Sequence, residues 1–313
     1  MTTSTTYATA FHAPVLAQEV VELFRNARNV LDGTLGGGGH ALALLERGAS
    51  VTGLDRDPVA VTEASQRLAA YRDTGRFRAF RANFGDVDNV PELSGESFDA
   101  ILLDLGVSTH QVDQEGRGFT FRQGAPLDMR MSADVPHTAA ELINETDEGE
   151  LARIFDEYGD AKSFARRLAR QIVRRRENRP FQTSDDLVGA IRAVLGPRSG
   201  PSDFAPIFQA VRIAVNDELH QLASALPALR DRLVRGGILA VISYHSGEDR
   251  LVKRAFREWS ASCICPPRQP VCSCRGRPLG ETLTRKAMVA SDSEVTTNPR
   301  ARSAHLRAWR SAA

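Results

Sequence analysis

The 313-residue sequence has no long apolar run, and no stretch approaches the roughly 18 apolar residues that a membrane-spanning helix requires. Residues 1–10 also lack the basic start and apolar stretch of a secretory signal peptide. We therefore expect a cytoplasmic protein with no membrane contact. The formal net charge is only +1, so any attraction to nucleic acid has to come from a local basic surface.

Cysteine is absent from the first 262 residues, which argues against a catalytic thiolate in that part of the chain. The four cysteines form two Cys-x-Cys pairs: Cys263 with Cys265, and Cys272 with Cys274. Structural zinc sites usually space their paired cysteines by two residues or more. The sequence therefore favours reduced thiols of a cytoplasmic protein and predicts no metal, and a zinc site remains the alternative.

Strand and helix patterns alternate through the first third of the chain. A predicted strand at 29–32 leads into the glycine-rich loop 33–39, and a helical pattern follows at 40–46. Further strands are predicted at 50–54, 77–82 and 98–103, and the polar residues Asp55, Asn83 and Asp104 follow them. The carboxyl ends of parallel strands share one edge of a sheet, so this edge is the predicted ligand site.

A fifth strand is predicted only at 238–243, far later than one crossover helix requires. The patterns between are helical, at 139–158, 163–177, 184–195 and 206–234, the last interrupted by Pro227. Two strands near 283–290 and 303–309 are predicted to form a terminal antiparallel pair. This order resembles an α/β class I (Rossmann-like) S-adenosylmethionine-dependent methyltransferase sheet with a helical insert between strands 4 and 5. The predicted domains are 1–111 with 220–313, and the insert 112–219.

The glycine-rich loop lacks the spacing of a dinucleotide fingerprint and the Lys-Ser/Thr of a phosphate-binding loop. Asp55 lies 19 positions after Gly36, where a carboxylate can accept from both hydroxyls of a ribose. An adenosine that carries a sulfonium side chain fits this pattern better than NAD or ATP. Phe84 is predicted to stack on adenine or to pack in the core, and His40 to contact the ligand or only to begin a helix.

Seven arginines and one acid lie between Lys162 and Arg179. Arg166, Arg170 and Arg174 repeat at helical spacing, and apolar residues repeat on another face. Such a surface favours contact with RNA phosphates, and a merely solvated helix face is the alternative.

Several segments together resemble the bacterial 16S rRNA (cytidine-N4)-methyltransferase family, called RsmH or MraW. The matching segments are residues 12–16, 32–40, 55–58, 102–108, 126–131, 208–213 with Asn216, 244–246, 248–250 and 298–303. The chain departs from the family pattern at 202–206, at Gly116 and at Gly247, on the side expected to meet the substrate.

The resemblance implies S-adenosylmethionine-dependent N4-methylation of a cytidine in the decoding region of 16S rRNA, with the small ribosomal subunit as partner. It implies cofactor contacts by Gly38, Gly39, His40, Asp55, Phe84, Asp104 and Gln111. The insert is expected to help recognise the substrate, and a homodimer stays open.

An exocyclic amine can attack a sulfonium methyl group directly when acceptors hold its hydrogens. Asp104 is the first candidate for this acceptor, followed by Asp128, Tyr244 and His245, for which structural hydrogen bonds are the alternative. Two other functions remain open. One is an amino methyltransferase acting on another RNA, on DNA or on a small molecule, and the other is a non-catalytic ribosome-assembly factor.

Overall fold

The computed structural model describes residues 14–106, 115–266, 269 and 271–312. The chain divides into two compact units, Met1–Gly106 with His220–Ala313, and Val107–Leu219. The domain bounds given by the sequence, 1–111 with 220–313 and 112–219, stay a prediction. In the described part of the chain, no helix combines the length and apolar character needed to cross a bilayer.

A seven-stranded sheet forms the centre of the first unit, in the order β3-β2-β1-β4-β5-β7-β6. Its strands are β1 (Asn29–Asp32), β2 (Ser50–Asp55), β3 (Phe77–Arg81), β4 (Phe98–Asp104), β5 (Leu233–Ser243), β6 (Gly280–Thr282) and β7 (His305–Ser311). Strands β1 to β5 run parallel, and β7 runs antiparallel between β5 and β6. The α/β fold class predicted from the sequence is confirmed, with the chain leaving the sheet after β4 and returning at β5.

The described helices are α1 (Ala17–Leu23), α2 (Gly39–Glu46), α3 (Pro58–Arg67), α4 (Ala69–Arg72), α5 (Ala139–Glu145), α6 (Glu148–Gly159), α7 (Ala165–Arg176), α8 (Ser184–Leu195), α9 (Pro201–Asn216), α10 (Glu218–Asp231), α11 (Ser246–Ser260) and α12 (Asp292–Thr297). Local signals explain several of these bounds. Asp57 accepts a hydrogen bond from the Val59 N–H, and Pro58 fills the first helical position of α3.

The central strands bury apolar side chains on both faces of the sheet. In β5, Ala240 and Ile242 belong to the core on one face, whereas Leu239 and Val241 belong to the core on the other. Successive side chains of a strand point to opposite faces, so a continuous apolar run fits a strand that is covered on both sides. This double burial fixes the sheet whose carboxyl edge carries the candidate site.

Helices α5 to α9 form the second unit around a separate apolar core. Leu168 and Ile172 of α7 are fully buried in that core. Thr138 caps α5 through a capping box with Glu141. The alternation of buried and exposed positions along α7 follows the helical period that the sequence shows.

Three sequence-based boundaries differ from the structure. The helix predicted at 139–158 is two helices, because Asp147 caps a new helix through the Glu150 N–H. The break expected at Pro227 lies instead at Asp217, whose φ of 51° ends α9, and Pro227 lies inside α10. The strand predicted at 283–290 is replaced by β6, although it pairs antiparallel with β7 as expected.

Candidate cofactor and active site

The glycine-rich loop lies at the carboxyl edge of the sheet, between β1 and α2. Gly36 and Gly38 have φ of 50° and 73°, a conformation that favours glycine, and Gly38 is the N-cap of α2. A Cβ on Gly33 would lie 2.6 Å from Leu103 Cδ2, so the loop passes close to the end of β4. Glycine at position 33 is therefore required for the close packing of this loop against β4.

Asp55 at the end of β2 is held in place by two backbone donors. The Gly36 N–H donates to Oδ2 at 2.8 Å, and the Asp57 N–H donates to Oδ1 at 2.8 Å. Each carboxylate oxygen has two acceptor positions, so each can still accept a ribose hydroxyl. Burial raises the pKa of Asp55 to about 6, against the lowering effect of these N–H groups.

His40 in the first turn of α2 is buried, and its Nε2 lies 2.9 Å from the Val15 carbonyl oxygen. A carbonyl only accepts, so Nε2 carries the proton and donates it. Burial lowers the pKa of His40, which favours the neutral ring with an unprotonated Nδ1. That Nδ1 faces Asp104 Oδ2 at 3.7 Å.

Asp104 ends β4, and its side chain is 5% exposed. The Tyr244 hydroxyl donates to Oδ1 at 2.7 Å, and the Asp104 N–H donates to Thr34 Oγ1 at 2.6 Å. Burial raises the pKa of Asp104 to about 7, although the Tyr244 hydroxyl acts in the opposite direction and Glu248 adds to the rise. A carboxyl group with this pKa can accept a proton near neutral pH.

Tyr244 and His245 follow β5 directly, and each has a structural partner. His245 Nδ1 accepts from the N–H groups of Gly247 and Glu248 and so caps α11. The buried Glu248 carboxylate accepts from the Tyr244 N–H at 2.8 Å, and its Oε1 lies 3.1 Å from His245 Nε2. Sequence reasoning missed Glu248 in this role, because the usual capping-box pattern begins with Ser or Thr rather than His.

Asp32 is a second residue that the sequence-based site left out. It ends β1, is 1% exposed, and accepts from the Thr34 N–H at 3.2 Å through Oδ1. Its Oδ2 has no hydrogen-bond partner among the described residues, and burial raises the pKa to about 6. The signal was available, since Asp32, Asp55 and Asp104 all end parallel strands.

Phe84 also lies at this edge, because a Cβ placed on Gly33 would be 3.3 Å from Phe84 Cβ. Phe84 is half-buried and begins a 3-10 turn capped by Asn83, whose Oδ1 accepts from the Gly85 N–H. Gln111 lies outside the described residues. Asp128 belongs to the second unit and forms a bidentate pair with Arg130, at 2.7 and 2.9 Å.

The arginine run is in the second unit, on α7. Arg166, Arg170 and Arg174 are exposed, and Arg170 Nε lies 3.5 Å from Glu148 Oε1. Arg176 differs, because it donates to the carbonyl oxygens of Ile143 and Thr146 at the end of α5. The run therefore divides into exposed arginines and one that ties two helices together.

The chemistry of the edge follows from its charge. Three carboxyl groups meet there, and repulsion from Asp104 and Asp55 contributes to the raised pKa of Asp32. A polyphosphate would add further negative charge, whereas a sulfonium ligand brings a positive one. The site thus fits S-adenosylmethionine through the glycine-rich loop, the Asp55 carboxylate and the acidic surroundings. Asp104 offers an acceptor for a nearby amine.

Known proteins resemble this chain along most of its length. The profile of the MraW methylase family matches residues 9–312. A ribosomal RNA small subunit methyltransferase H from Gemmatimonas aurantiaca is 63% identical over 302 residues, which cover 96% of each chain. A protein of the same name from Heliobacterium modesticaldum is 46% identical over 308 residues, covering 95% of this chain and 97% of its own.

Solved structures show a weaker likeness. A putative rRNA-methylase from Clostridium thermocellum covers 95% of this chain and 98% of its own, with 11% identity and a TM-score of 0.42.

Proposed function

This chain belongs to the MraW methylase family, and from that membership we propose that it methylates the N4 amine of a cytidine in 16S rRNA, with S-adenosylmethionine as methyl donor. The relatives named for small-subunit ribosomal RNA support the substrate class. The geometric observation that supports amine methylation most directly is the buried Asp104 carboxyl group, oriented by Tyr244. An amine that gains a methyl group must lose a proton, and Asp104 is an acceptor for it.

Cofactor binding is proposed for the carboxyl edge of the first unit. Asp55 would accept from the ribose hydroxyls, and the glycine-rich loop that contains Gly38 and Gly39 would present its backbone to the cofactor. Phe84 would stack on the adenine, and His40 and Gln111 complete the proposed contacts. When bound, S-adenosylmethionine supplies an electrophilic methyl group on a sulfonium sulfur.

The proposed role of Asp104 is to hold and then take the amine proton. The cofactor held at this edge would supply the methyl group with a neutral thioether as leaving group, and the amine that accepts the methyl group would release one proton to Asp104. Asp104 must be ionised to accept, and with its pKa of about 7 the ionised fraction rises between pH 6 and about 8. Tyr244 keeps Oδ1 in a fixed hydrogen bond, and His245 acts by positioning Glu248, which accepts from the Tyr244 N–H.

RNA binding is proposed for the second unit. Arg166, Arg170 and Arg174 supply positive charge for phosphates, and the target base must be unstacked, which costs a few kcal/mol unless the rRNA already presents it singly. The partner is the small ribosomal subunit in the cytoplasm. Association of two copies of the chain remains a separate hypothesis.

The decisive experiment is methyl transfer from labelled S-adenosylmethionine to small ribosomal subunits that lack the modification, followed by mass spectrometry of the nucleosides. We expect N4-methylcytidine. Asp104→Asn should lower the transfer rate at saturating cofactor by about 100-fold or more, and it should remove the rise between pH 6 and 8. The exposed Glu92→Gln is the matched control and should behave as the wild type.

Two results would contradict the proposal. Methylation of another nucleoside would refute the N4 assignment and leave the methyltransferase fold intact. A normal rate and pH profile for Asp104→Asn would remove Asp104 from proton transfer.

A further inference from the structure

The loop between α11 and β6 brings four sulfur atoms together. They belong to Cys263, Cys265, Cys272 and Cys274, which we call the cysteine cluster. The four Sγ atoms all lie within 4.8 Å of one another, although none of these residues belongs to the active-site edge. The two Cys-x-Cys pairs therefore converge on one point from two segments of the loop.

The sulfur separations match those of a tetrahedral metal site. Cys272 Sγ lies 3.5 Å from Cys274 Sγ, 3.8 Å from Cys265 Sγ and 3.9 Å from Cys263 Sγ. With zinc–sulfur bonds of about 2.3 Å, a regular tetrahedron has sulfur atoms about 3.8 Å apart. A point at the centre of the cluster is thus close to zinc–sulfur bonding distance from the four sulfur atoms.

The short spacing within each pair does not prevent this arrangement. Zinc knuckles usually have two residues between their cysteines, which is why the sequence favoured free thiols. In extended backbone, however, residues i and i+2 point to the same side. Each pair can therefore direct both sulfurs to the same ion, and the structure shows that the pairs face each other.

The surroundings of the cluster suit a negatively charged centre. A divalent ion with four thiolates carries a net charge of −2. Residues 261–280 contain three arginines and no acidic residue. The Ile264 N–H donates to Cys274 Sγ at 3.4 Å, and the Arg275 guanidinium holds the carbonyl oxygens of Glu258 and Ala261 at the end of α11. Backbone donors to sulfur stabilise thiolates, and the local sequence adds no negative charge that would oppose them.

Apolar packing contributes little to holding this loop. Ile264 is 43% exposed and Val271 is 74% exposed, and the cysteines themselves are exposed or half-buried. A loop without a core needs another source of order, and a metal cross-link is a common one.

We propose that the cysteine cluster binds one structural Zn²⁺ ion. Four protein ligands leave no open position for water or substrate, so the ion would order the loop rather than act in methyl transfer. Thiolate ligands favour zinc over magnesium or calcium, which prefer oxygen. The bound ion would tie the end of α11 to the start of β6 through a loop that otherwise has few buried contacts.

The test begins with the full-length wild-type protein, purified under reducing conditions without chelator and dialysed. Mass spectrometry of the metals should find about one zinc per chain. Alkylation should leave all four cysteines unmodified until a strong chelator is added. Cobalt in place of zinc should give the intense visible bands of tetrahedral thiolate coordination.

The variant Cys272→Ser lacks one of the four ligands. After the same dialysis it should contain no more than about one tenth of the zinc found in the wild type. Ser262→Ala, which changes an exposed neighbour of the cluster, is the matched control and should keep the ion. Cofactor affinity, measured by calorimetry, reports whether each variant is folded, and we expect little change.

Three results would overturn the proposal. The first is wild-type protein with four freely alkylated thiols and no metal. The second is two disulfides in the protein as it is found in cells. The third is iron bound in place of zinc after growth with both metals. If Cys272→Ser does not fold, the alkylation and metal content of the wild type still decide the question.

Discussion

Asp32, Asp55 and Asp104 are the residues whose ionisation the fold alters most clearly at the candidate site. Burial raises the pKa of these carboxyl groups, to about 6 for Asp32 and Asp55 and to about 7 for Asp104. A carboxylate buried in protein is poorly solvated. A cationic ligand therefore stabilises it more than it would stabilise a carboxylate in water. The three buried carboxylates cost free energy when no ligand is bound. They therefore favour the binding of a positively charged sulfonium compound.

Asp55→Ala tests the proposed ribose contact. The variant loses two charge-assisted hydrogen bonds to the cofactor, so we expect binding of S-adenosylmethionine to weaken by about 2 to 4 kcal/mol. Calorimetry at pH 8, where Asp55 is ionised, measures this loss. Asp73→Ala changes an exposed carboxylate and should bind normally. An Asp55→Ala protein with wild-type affinity would rule out the assignment.

Asp32→Asn tests the cost of a buried charge. The folded protein keeps the Asp32 proton to a higher pH than the unfolded chain does, so ionisation removes roughly 3 kcal/mol of stability as the pH rises from about 4 to 7. Asparagine cannot ionise. Relative to wild type, the free energy of unfolding of the ligand-free variant should therefore be about 2 kcal/mol larger at pH 8 than at pH 4.5, which means a more stable variant at high pH.

Urea denaturation followed by tryptophan fluorescence measures this difference, because Trp259 and Trp309 are buried in the same unit. The exposed Asp73→Asn is the control and should show no pH-dependent difference. If Asp32→Asn and wild type lose stability in parallel as the pH rises, Asp32 is not the group responsible.

Among the elements, helix α7 shows how one sequence pattern serves packing and charge. Leu168 and Ile172 are buried, whereas Arg166, Arg170 and Arg174 lie on exposed positions of the same helix. Burial of the apolar face fixes the helix and thereby keeps the arginines on the surface.

Reversal of Arg166, Arg170 and Arg174 to glutamate should weaken RNA binding and leave cofactor binding unchanged. The slope of log affinity against log salt concentration is negative. If each arginine neutralises one phosphate, the magnitude of this slope should decrease by about 2 to 3. Filter binding over a range of salt concentrations measures the slope. The same reversal at Arg25, Arg47 and Arg72, which are exposed in the other unit, changes the net charge equally and is the control. Equal losses for both triple variants would indicate a non-specific charge effect.

The element boundaries show where local sequence signals were insufficient. Pro227 was expected to interrupt a helix, because proline lacks an N–H, yet it lies inside α10, where Leu226 and Leu229 are buried. Asp217 ends α9 by adopting a positive φ. The sequence has no glycine there, so it does not indicate this left-handed conformation. Strong periodicity predicted the helices, whereas tertiary packing decided where they end.

For the molecule as a whole, the succession of strands β1 to β5 along the chain and the helical stretch between β4 and β5 could be predicted from pattern, whereas the position of β7 between β5 and β6 could not. The glycine loop and the strand-end acids Asp55 and Asp104 also follow from sequence, because parallel strands bring their carboxyl ends to one edge. The contacts of Tyr244 and Glu248 do not, since they join residues that are far apart in the chain. The convergence of the four cysteines likewise depends on a loop conformation that spacing does not determine.

Hydrogen exchange tests whether the cofactor acts on one unit. The proposed contacts among the described residues all come from the first unit, so S-adenosylmethionine should slow exchange around Gly36–His40 and Asp55–Asp57. The amides of α6 and α8 should exchange at unchanged rates. Asp55→Ala protein at the same cofactor concentration is the control and should show little protection. Comparable slowing in α6 and α8 would contradict a cofactor site whose described contacts all lie in the first unit.

Strand β7 also has a consequence for how the protein is made. It is the seventh strand in chain order but lies between β5 and β6, so β5 has an unpaired edge until residues 305–311 have been synthesised. That edge includes the apolar run from Ile238 to Ile242. The helical unit, by contrast, is continuous in sequence and can fold while the rest is still being translated. A nascent chain should therefore carry a folded insert within an unfinished sheet, and a product truncated before residue 305 would expose this edge to aggregation.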